Sequence, residues 1–397
     1  MKDLKYLQFF EELSVLAGND LVRKAKDEGR VCVAYMCENT PEPLLNLSGC
    51  FGVRLTAPGT TSTDLATYYV TGFLCETARA LLERSLEGGY NFANCLIAPD
   101  GCTMINRCAE NMELLSAMKG EDNFFYEHHE VPLKADENGV KLLMVQCENH
   151  ILKPLQEHFG IDVSKEAMVK AVAEHNEVCR LINELGEFRK DENPRITGYE
   201  FAVITLATYI APKDELVEKL KETLEEVKNR VPDEGRFRAR VLVAGSEMED
   251  VGFIKLVEEC GAFVCADRFC FGSFPGRTPV EVEDGEDVLH AICRHYVMNC
   301  QCPRQMNMEK VYGRKEYISE LAREFKADGI IYNQMKFCDP WAYERTLGAA
   351  MLREDFGYPV LSIDRPFNSN SVSGQLRTRV QAFIESMEIK NLAKEVR

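Results

Sequence analysis

The sequence predicts an α/β protein with two parallel-sheet domains and a helical segment between them. Short apolar runs typical of buried strands alternate with stretches of helical periodicity, and strands separated by helices favour a parallel sheet. At 397 residues the chain is too long for one ordinary domain. We predict an N-terminal helical segment, a first α/β domain, a second helical segment and a second α/β domain, spanning residues 1–29, 30–160, 161–235 and 236–397 respectively.

The first α/β domain contains three predicted strands, Val31–Tyr35, Asn94–Ala98 and Lys141–Gln146. After the first strand, Thr40 is a candidate cap for a helix over Pro41–Ser48, which Gly49 would end. A further helix begins at Cys75, a position at which a thiol readily becomes a thiolate.

Two or three helices are predicted over residues 164–230, the first of them capped by Ser164. His175 and Cys179 lie four residues apart on its apolar face, and we interpret them as core residues rather than a metal-binding pair. The second α/β domain has four predicted strands and a closing helix: Ala239–Ala244, Ala262–Ala266, Gly329–Tyr332, Tyr358–Ile363 and Gln375–Met387.

Cysteines recur just after predicted strands, most clearly at Cys338 in the stretch Asp328–Tyr343. There, Asp339-Pro340 can open a helix because proline suits its first turn. Four other cysteines follow predicted strands in the same way: Cys37, Cys102, Cys147 and Cys270. The carboxyl edge of an open α/β sheet is where ligands bind, and thiolates favour soft metals, so the pattern predicts a soft-metal site.

Composition and net charge argue against a secreted, membrane-spanning or nucleic-acid-binding protein. The 16 cysteines occur without a signal peptide, and the longest apolar stretch, Phe201–Ala211, is too short to span a bilayer. We therefore expect a cytoplasmic protein with reduced thiols and no membrane partner. A net charge of −17 argues against nucleic acid as a partner. No GxGxxG or Walker motif is present, so neither NAD nor direct ATP binding is inferred.

A second cysteine motif indicates the kind of metal. Cys300-Gln301-Cys302-Pro303 places two thiols one residue apart before a proline, and Cys-Pro is a familiar end to iron–sulfur ligand runs. Zinc is the competing metal, but structural zinc sites usually show paired C-x2–4-C units, whereas Cys300 and Cys302 have a single residue between them.

Several short motifs together resemble the 2-hydroxyacyl-CoA dehydratase family, which includes benzoyl-CoA reductase subunits and double-cubane cluster proteins. In chain order they are Phe73-Leu74-Cys75, Leu86-Glu87-Gly88-Gly89-Tyr90-Asn91-Phe92, Pro99-Asp100-Gly101-Cys102, Cys270-Phe271-Gly272, Cys302-Pro303, Lys336-Phe337-Cys338-Asp339-Pro340 and Gly374-Gln375-Leu376-Arg377-Thr378-Arg379. The match is collinear from about residue 30 to the end. Each motif is weak alone, and their common order makes them specific.

The resemblance implies two flavodoxin-like, doubly wound domains with a 4Fe-4S cluster held by Cys75, Cys102 and Cys338, one iron lacking a protein thiolate. In such a family, one electron added to the thioester carbonyl of an (R)-2-hydroxyacyl-CoA gives a ketyl radical that expels hydroxide. Loss of the β-proton then gives the 2-enoyl-CoA, and the electron is recycled.

The resemblance also implies partners: a homologous second subunit and an ATP-hydrolysing iron–sulfur activator, besides the acyl-CoA substrate. It leaves flavin binding open. Substrate-contacting groups belong to the N-terminal α/β unit, where Glu38, Thr40 and Glu42 are the candidates, with helix capping as their alternative role.

Three functional hypotheses follow. The first is an iron–sulfur dehydratase subunit. The second is an ATP-dependent reductase of the same superfamily, acting on an aromatic acyl-CoA or carrying a double cubane, for which Cys270, Cys300 and Cys302 would complete six ligands. The third is a non-catalytic subunit that only relays electrons.

Overall fold

The protein folds as two all-parallel four-stranded sheets flanked by helices, which confirms the predicted pair of flavodoxin-like α/β domains. The computed structural model describes residues 1–119, 124–235 and 237–395; the predicted domain start at 236 lies outside them. The first sheet has the order β2-β1-β3-β4 and the second the order β6-β5-β7-β8. Their strands are β1 (Val31–Tyr35), β2 (Cys50–Arg54), β3 (Cys95–Asp100), β4 (Phe125–Glu130), β5 (Ala239–Gly245), β6 (Ala262–Arg268), β7 (Gly329–Met335) and β8 (Val360–Arg365).

Fourteen α-helices cover these sheets within the described ranges. They are α1 (Leu7–Leu13), α2 (Asp20–Asp27), α3 (Glu76–Leu86), α4 (Thr103–Lys119), α5 (Glu137–Cys147), α6 (Lys153–Phe159), α7 (Lys165–Glu187), α8 (Gly198–Ile210), α9 (Asp214–Asn229), α10 (Val251–Glu259), α11 (Val288–Met298), α12 (Met308–Glu324), α13 (Asp339–Glu354) and α14 (Ser373–Glu395). Ser164 caps α7 as predicted, by accepting a hydrogen bond from the Ala167 amide. None of these helices combines the length and apolar character needed to cross a bilayer.

The predicted strand Lys141–Gln146 is wrong, because this segment belongs to helix α5. Asp136 caps the helix through the Gly139 amide. The buried positions Val140, Leu143 and Cys147 follow helical spacing, whereas the apolar run that mimicked a strand also includes exposed side chains. Cys147 therefore does not lie at a strand end; its Sγ lies 3.9 Å from that of Cys293 on α11 in the core.

Two strands escaped prediction for different reasons. The edge strand β4 has the polar sequence FYEHHE and pairs along its whole length with β3, so its apolar signal is weak. Strand β2 is fully buried but contains a glycine, Gly52. It follows a short 3-10 helix, Glu42–Leu45, where the sequence predicted a longer α-helix. Gly49 ends this segment at a φ of +93°, a conformation that glycine adopts without strain.

The carboxyl ends of the two sheets meet in a cleft. Arg54, at the end of β2, is buried between the sheets and donates to the Cys270 carbonyl oxygen after β6 and to Glu247 after β5, over 2.5 and 2.7 Å. Its guanidinium also lies 3.9 Å from the Phe271 ring centroid. These contacts of Arg54 fix the two carboxyl edges against each other.

Candidate functional site

Three of the predicted ligand cysteines stand at helix N-termini that face the cleft. Cys75 is the N-terminal flanking residue of α3, and Cys338 occupies the same position before α13, where Pro340 lies in the first turn. Cys102 precedes α4, and its carbonyl accepts the Asn106 amide 2.9 Å away. The free amides and the dipole at a helix N-terminus stabilise negative charge, so each sulfur sits where a thiolate is favoured.

The structure brings these three cysteines together although they come from both domains. The Cys75 and Cys338 thiols lie side by side, and Cys102 is close enough to interact electrostatically with both. The backbone joins the same segments: the Glu76 amide donates to the Lys336 carbonyl oxygen over 3.2 Å. We call Cys75, Cys102 and Cys338 the thiol triad.

The electrostatics of the thiol triad differ from one member to the next. The pKa of the Cys75 thiol is lowered by a hydrogen bond from Cys338 and by amides of the first turn of α3. The same pairing and burial raise the pKa of Cys338, and burial raises the pKa of Cys102. Of the three thiols, Cys75 therefore ionises most readily.

The donor set of the thiol triad consists of cysteine thiols, the ligand type that iron–sulfur clusters use. In the described part of the chain, no three His, Cys, Asp or Glu side chains converge tightly enough to hold a single metal ion. A cubane cluster binds its thiolates on separate irons, which lie further apart than the ligands of one ion. Apolar side chains, most of them from the first domain, pack around Cys75 and Cys338.

The second-tier cysteines Cys270, Cys300 and Cys302 form a different group, together with Cys37. The Cys300 thiol donates to the Asn39 side chain over 3.3 Å, and the Cys302 amide lies 3.4 Å from the Cys300 sulfur. Burial raises the pKa of Cys37 to about 12 and that of Cys300 to about 11. Cys37 and Cys300 therefore stay protonated at neutral pH, whereas the pKa of Cys75 in the thiol triad is lowered.

Glu38 faces this second group of thiols and the small cavity next to it. Its two carboxyl oxygens are buried and accept no hydrogen bond of ordinary geometry from the described residues. Burial raises the pKa of Glu38, although the Arg268 and Arg54 guanidinium groups oppose that effect. The carboxyl therefore keeps a proton at higher pH than an exposed glutamate does.

Glu42 and Thr40, the other two candidates, make structural contacts instead. Glu42 is 3% exposed and accepts hydrogen bonds from Tyr35, Lys213 and Arg277 over 2.9, 2.5 and 2.7 Å. Burial alone would raise its pKa, but the Arg277 and Lys213 cations hold the pKa of Glu42 far below its usual range. The Thr40 hydroxyl donates to the Met36 carbonyl oxygen over 2.8 Å, so it does not cap the following helix as predicted.

Sequence reasoning missed Arg54, Glu247 and Glu249, which also line the cleft. The Ala57 amide donates to one oxygen of Glu249 over 2.7 Å, and the other oxygen is buried without a hydrogen-bond partner among the described residues. Burial and the neighbouring carboxylates raise the pKa of Glu249 to about 8. Glu247 and Glu249 lie two and four residues after the last residue of β5, so their position after a strand was the signal that could have identified them.

His175 and Cys179 are core residues, as predicted. Both are buried on α7, and the Cys179 sulfur lies 3.3 Å from His175 Nε2. Burial lowers the pKa of His175 to about 3, so the imidazole is neutral in the folded protein.

Comparison with known proteins places the chain in a family. Residues 37–387 match the family model for 2-hydroxyglutaryl-CoA dehydratase, D-component. The chain is 25% identical to the (R)-phenyllactyl-CoA dehydratase beta subunit of Clostridium sporogenes, over 96% of this chain and 99% of that protein. It is 23% identical to the (R)-2-hydroxyglutaryl-CoA dehydratase subunit beta of Acidaminococcus fermentans, over 96% and 98% of the two chains.

A reductase subunit is also among the relatives. One of the benzoyl-CoA reductase subunits of Thauera aromatica is 21% identical over 96% of both chains. The match to the family model spans most of the sequence and includes the whole thiol triad. The chain therefore belongs to the 2-hydroxyglutaryl-CoA dehydratase D-component family.

Proposed function

We propose that this chain is the iron–sulfur subunit of a 2-hydroxyacyl-CoA dehydratase, which eliminates water from an (R)-2-hydroxyacyl-CoA to give a 2-enoyl-CoA. The observation that supports it most is the convergence of Cys75, Cys102 and Cys338 at three helix N-termini in the cleft. The dehydratase subunits among its relatives support the reaction class.

Cys75, Cys102 and Cys338 would hold a 4Fe-4S cluster, and the helix N-termini would balance its negative charge. When bound, such a cluster with one iron free of protein thiolate supplies a one-electron carrier and a Lewis acid. Apolar side chains around Cys75 and Cys338 lower the local polarity, which strengthens the electrostatic interactions at the site.

Elimination of water needs a proton for the departing hydroxide. Of the three candidate residues, Glu38 alone has a carboxyl without an ion-pair role, and its raised pKa suits a proton donor. Glu42 would hold the segment after β1 in place through its ion pairs with Lys213 and Arg277. The proposal includes a homologous second subunit and an ATP-hydrolysing activator that supplies the first electron to a substrate-based ketyl radical.

Two alternatives have an observation of their own. The benzoyl-CoA reductase relative favours an ATP-dependent reductase. The side chains of Thr40 and Glu42 are occupied by contacts within the protein. Because this leaves one of the three candidate substrate contacts, it favours a subunit that only relays electrons.

Counting ATP against product separates these functions. The chain, with its homologous second subunit, reduced activator, ATP and Mg²⁺, is supplied with (R)-2-hydroxyacyl-CoA thioesters. A dehydratase forms 2-enoyl-CoA with less than one ATP per turnover once primed, because the electron is recycled. Stoichiometric ATP consumption indicates a reductase, and the absence of enoyl product with every thioester tried contradicts the proposal. The Cys179→Ala variant serves as a control that should keep full activity.

A further inference from the structure

The aromatic side chains that the protein exposes are concentrated around the thiol triad. Among the described residues, six Phe, Tyr or Trp side chains are substantially exposed, and five of them lie seven residues or fewer from Cys75 or Cys338 in sequence. We call these five the aromatic rim: Tyr68, Tyr69, Phe73, Phe337 and Tyr343. Exposed apolar surface so concentrated marks an interaction site rather than ordinary surface variation.

The centre of the rim is a contact between the two domains. Phe73, just before Cys75, and Phe337, just before Cys338, contact each other edge to face with their ring centroids 5.8 Å apart. Tyr343 extends the surface along α13, and Leu347, 46% exposed, lies one turn further on the same helix face. Tyr68 and Phe73 are 85% and 76% exposed in the loop that leads to Cys75.

The backbone at Phe337 gives a second, independent observation. Its φ is +62°, in the left-handed region that residues other than glycine rarely adopt. Such a conformation is strained and persists where the surroundings enforce it, typically at functional sites. Here it places an aromatic ring at the surface directly beside a member of the thiol triad.

The shape and size of the rim favour a protein over a small ligand. Its members line neither the cavity at Glu38 nor the one at Glu249, whereas small-molecule sites are concave. The five side chains expose on the order of 600 Å² of mainly apolar surface, taking about 200 Å² for each ring. A lasting subunit interface needs about 800 Å² per partner, and transient redox encounters bury less than about 600 Å². With Leu65 and Leu347, both 46% exposed, the surface approaches the larger value.

We propose that the aromatic rim is the surface on which a second, homologous subunit of the enzyme docks. The proposal rests on the proposed function, because the relatives of this chain are named as subunits. Tyrosine and phenylalanine are enriched in the buried centre of such interfaces, where they account for much of the binding energy. Docking there would also cover the thiol triad from solvent.

Site-specific cross-linking in the complex tests this surface. The tagged chain is purified anaerobically with the homologous subunit from its native host, with a photoreactive phenylalanine analogue at position 68, 73 or 343. The matched control carries the analogue at position 312, because Tyr312 is the sixth exposed aromatic, at 41%. It packs on Phe356, beyond the far end of α13 and about 20 Å along the helix axis from Tyr343.

The expected result is a cross-linked peptide from the homologous subunit at positions 68, 73 and 343, at a yield at least tenfold above position 312. A peptide from an ATP-hydrolysing electron donor, a peptide from a second copy of this chain, or equal yield at position 312 would each overturn the proposal. Cross-linking to the homologous subunit without enoyl product would leave the interface standing and defeat only the dehydratase assignment.

Substitution gives a second measurement on the same complex. Phe73→Ala and Tyr343→Ala should each weaken binding of the separately produced homologous subunit about tenfold or more, whereas Tyr312→Ala should leave it unchanged. Unaltered subunit affinity with a raised KM for the thioester would instead assign the rim to substrate binding and contradict the interface.

Discussion

The two sides of the interdomain cleft use opposite electrostatic solutions. On the thiol side, Cys75, Cys102 and Cys338 lie at three helix N-termini, and no cation of the described residues is among the main electrostatic influences on them. On the carboxylate side, Glu42 is neutralised by Lys213 and Arg277, and Arg54 by Glu247. The charges of Glu42 and Arg54 are therefore paired within the protein, whereas the thiol triad has capacity for a charged group. We infer that the carboxylate side holds the two domains together and the thiol side holds the cofactor.

The largest effect in this comparison is expected on the thiol side. Cys75→Ala, Cys102→Ala or Cys338→Ala removes one of three proposed anchors, so anaerobically purified protein should lose its iron. Iron and acid-labile sulfide per chain measure the loss. Cys270→Ala is the matched control, because Cys270 is as buried as Cys75 but belongs to the carboxylate side. Comparable iron loss in Cys270→Ala would erase the distinction between the two sides.

On the carboxylate side, Glu42→Gln should destabilise the fold by about 3–5 kcal/mol, because it leaves Lys213 and Arg277 buried beside a neutral group. Urea unfolding measures the change. Glu38→Gln, four residues earlier, removes a buried carboxyl that has no ion pair and should change stability by less than about 1 kcal/mol. Equal destabilisation by both variants would show that Glu38 is structural too.

Glu249 provides a pH-dependent version of the comparison. Its pKa rises from 4.5 to about 8 in the folded protein, so the folded state holds a proton that the unfolded state has released. This contribution to stability is present below pH 4.5 and is lost as the pH rises towards 8.

Glu249→Gln should therefore stabilise the protein by ~3 kcal/mol near neutral pH and by much less at pH 4.5. Thermal unfolding across that range, with Glu259→Gln at the end of α10 as the control, measures the difference. A constant difference between Glu249→Gln and the wild type at all pH values would mean that the carboxyl is ionised in the fold.

The smallest effect is expected away from both sides of the cleft. Cys179→Ala removes a buried sulfur from the core around α7 and should cost about 1 kcal/mol of packing energy. Its iron content should equal that of the wild type, as measured beside the triad variants. Loss of iron would mean that the core role assigned to Cys179 is incomplete.

Local patterns predicted the thiol side well and the carboxylate side poorly. A strand, a cysteine and Asp339-Pro340 are adjacent in the sequence, so the position of Cys338 before a helix could be predicted. Glu42, in contrast, forms ion pairs with Lys213 and Arg277, which are 171 and 235 residues away in the sequence. No local pattern encodes such pairs. For this reason Glu42 could be named as a candidate but not recognised as structural.

The errors in secondary structure have the same origin. The run Leu142–Val145 contains as many apolar residues as a strand, and only burial against α11 shows that one helical face is used. Strand β4 is polar because it lies at the sheet edge, so its pairing with β3 depends on the neighbour rather than on its own sequence.

The most direct test of the account is the metal content of the wild-type chain after anaerobic purification. One 4Fe-4S cluster on the thiol triad predicts about four irons and four acid-labile sulfides per chain. About eight irons, with half of them lost on replacing Cys300 or Cys302, would assign a double cubane that includes the carboxylate side. Zinc in place of iron would contradict the central claim that Cys75, Cys102 and Cys338 hold a redox cluster.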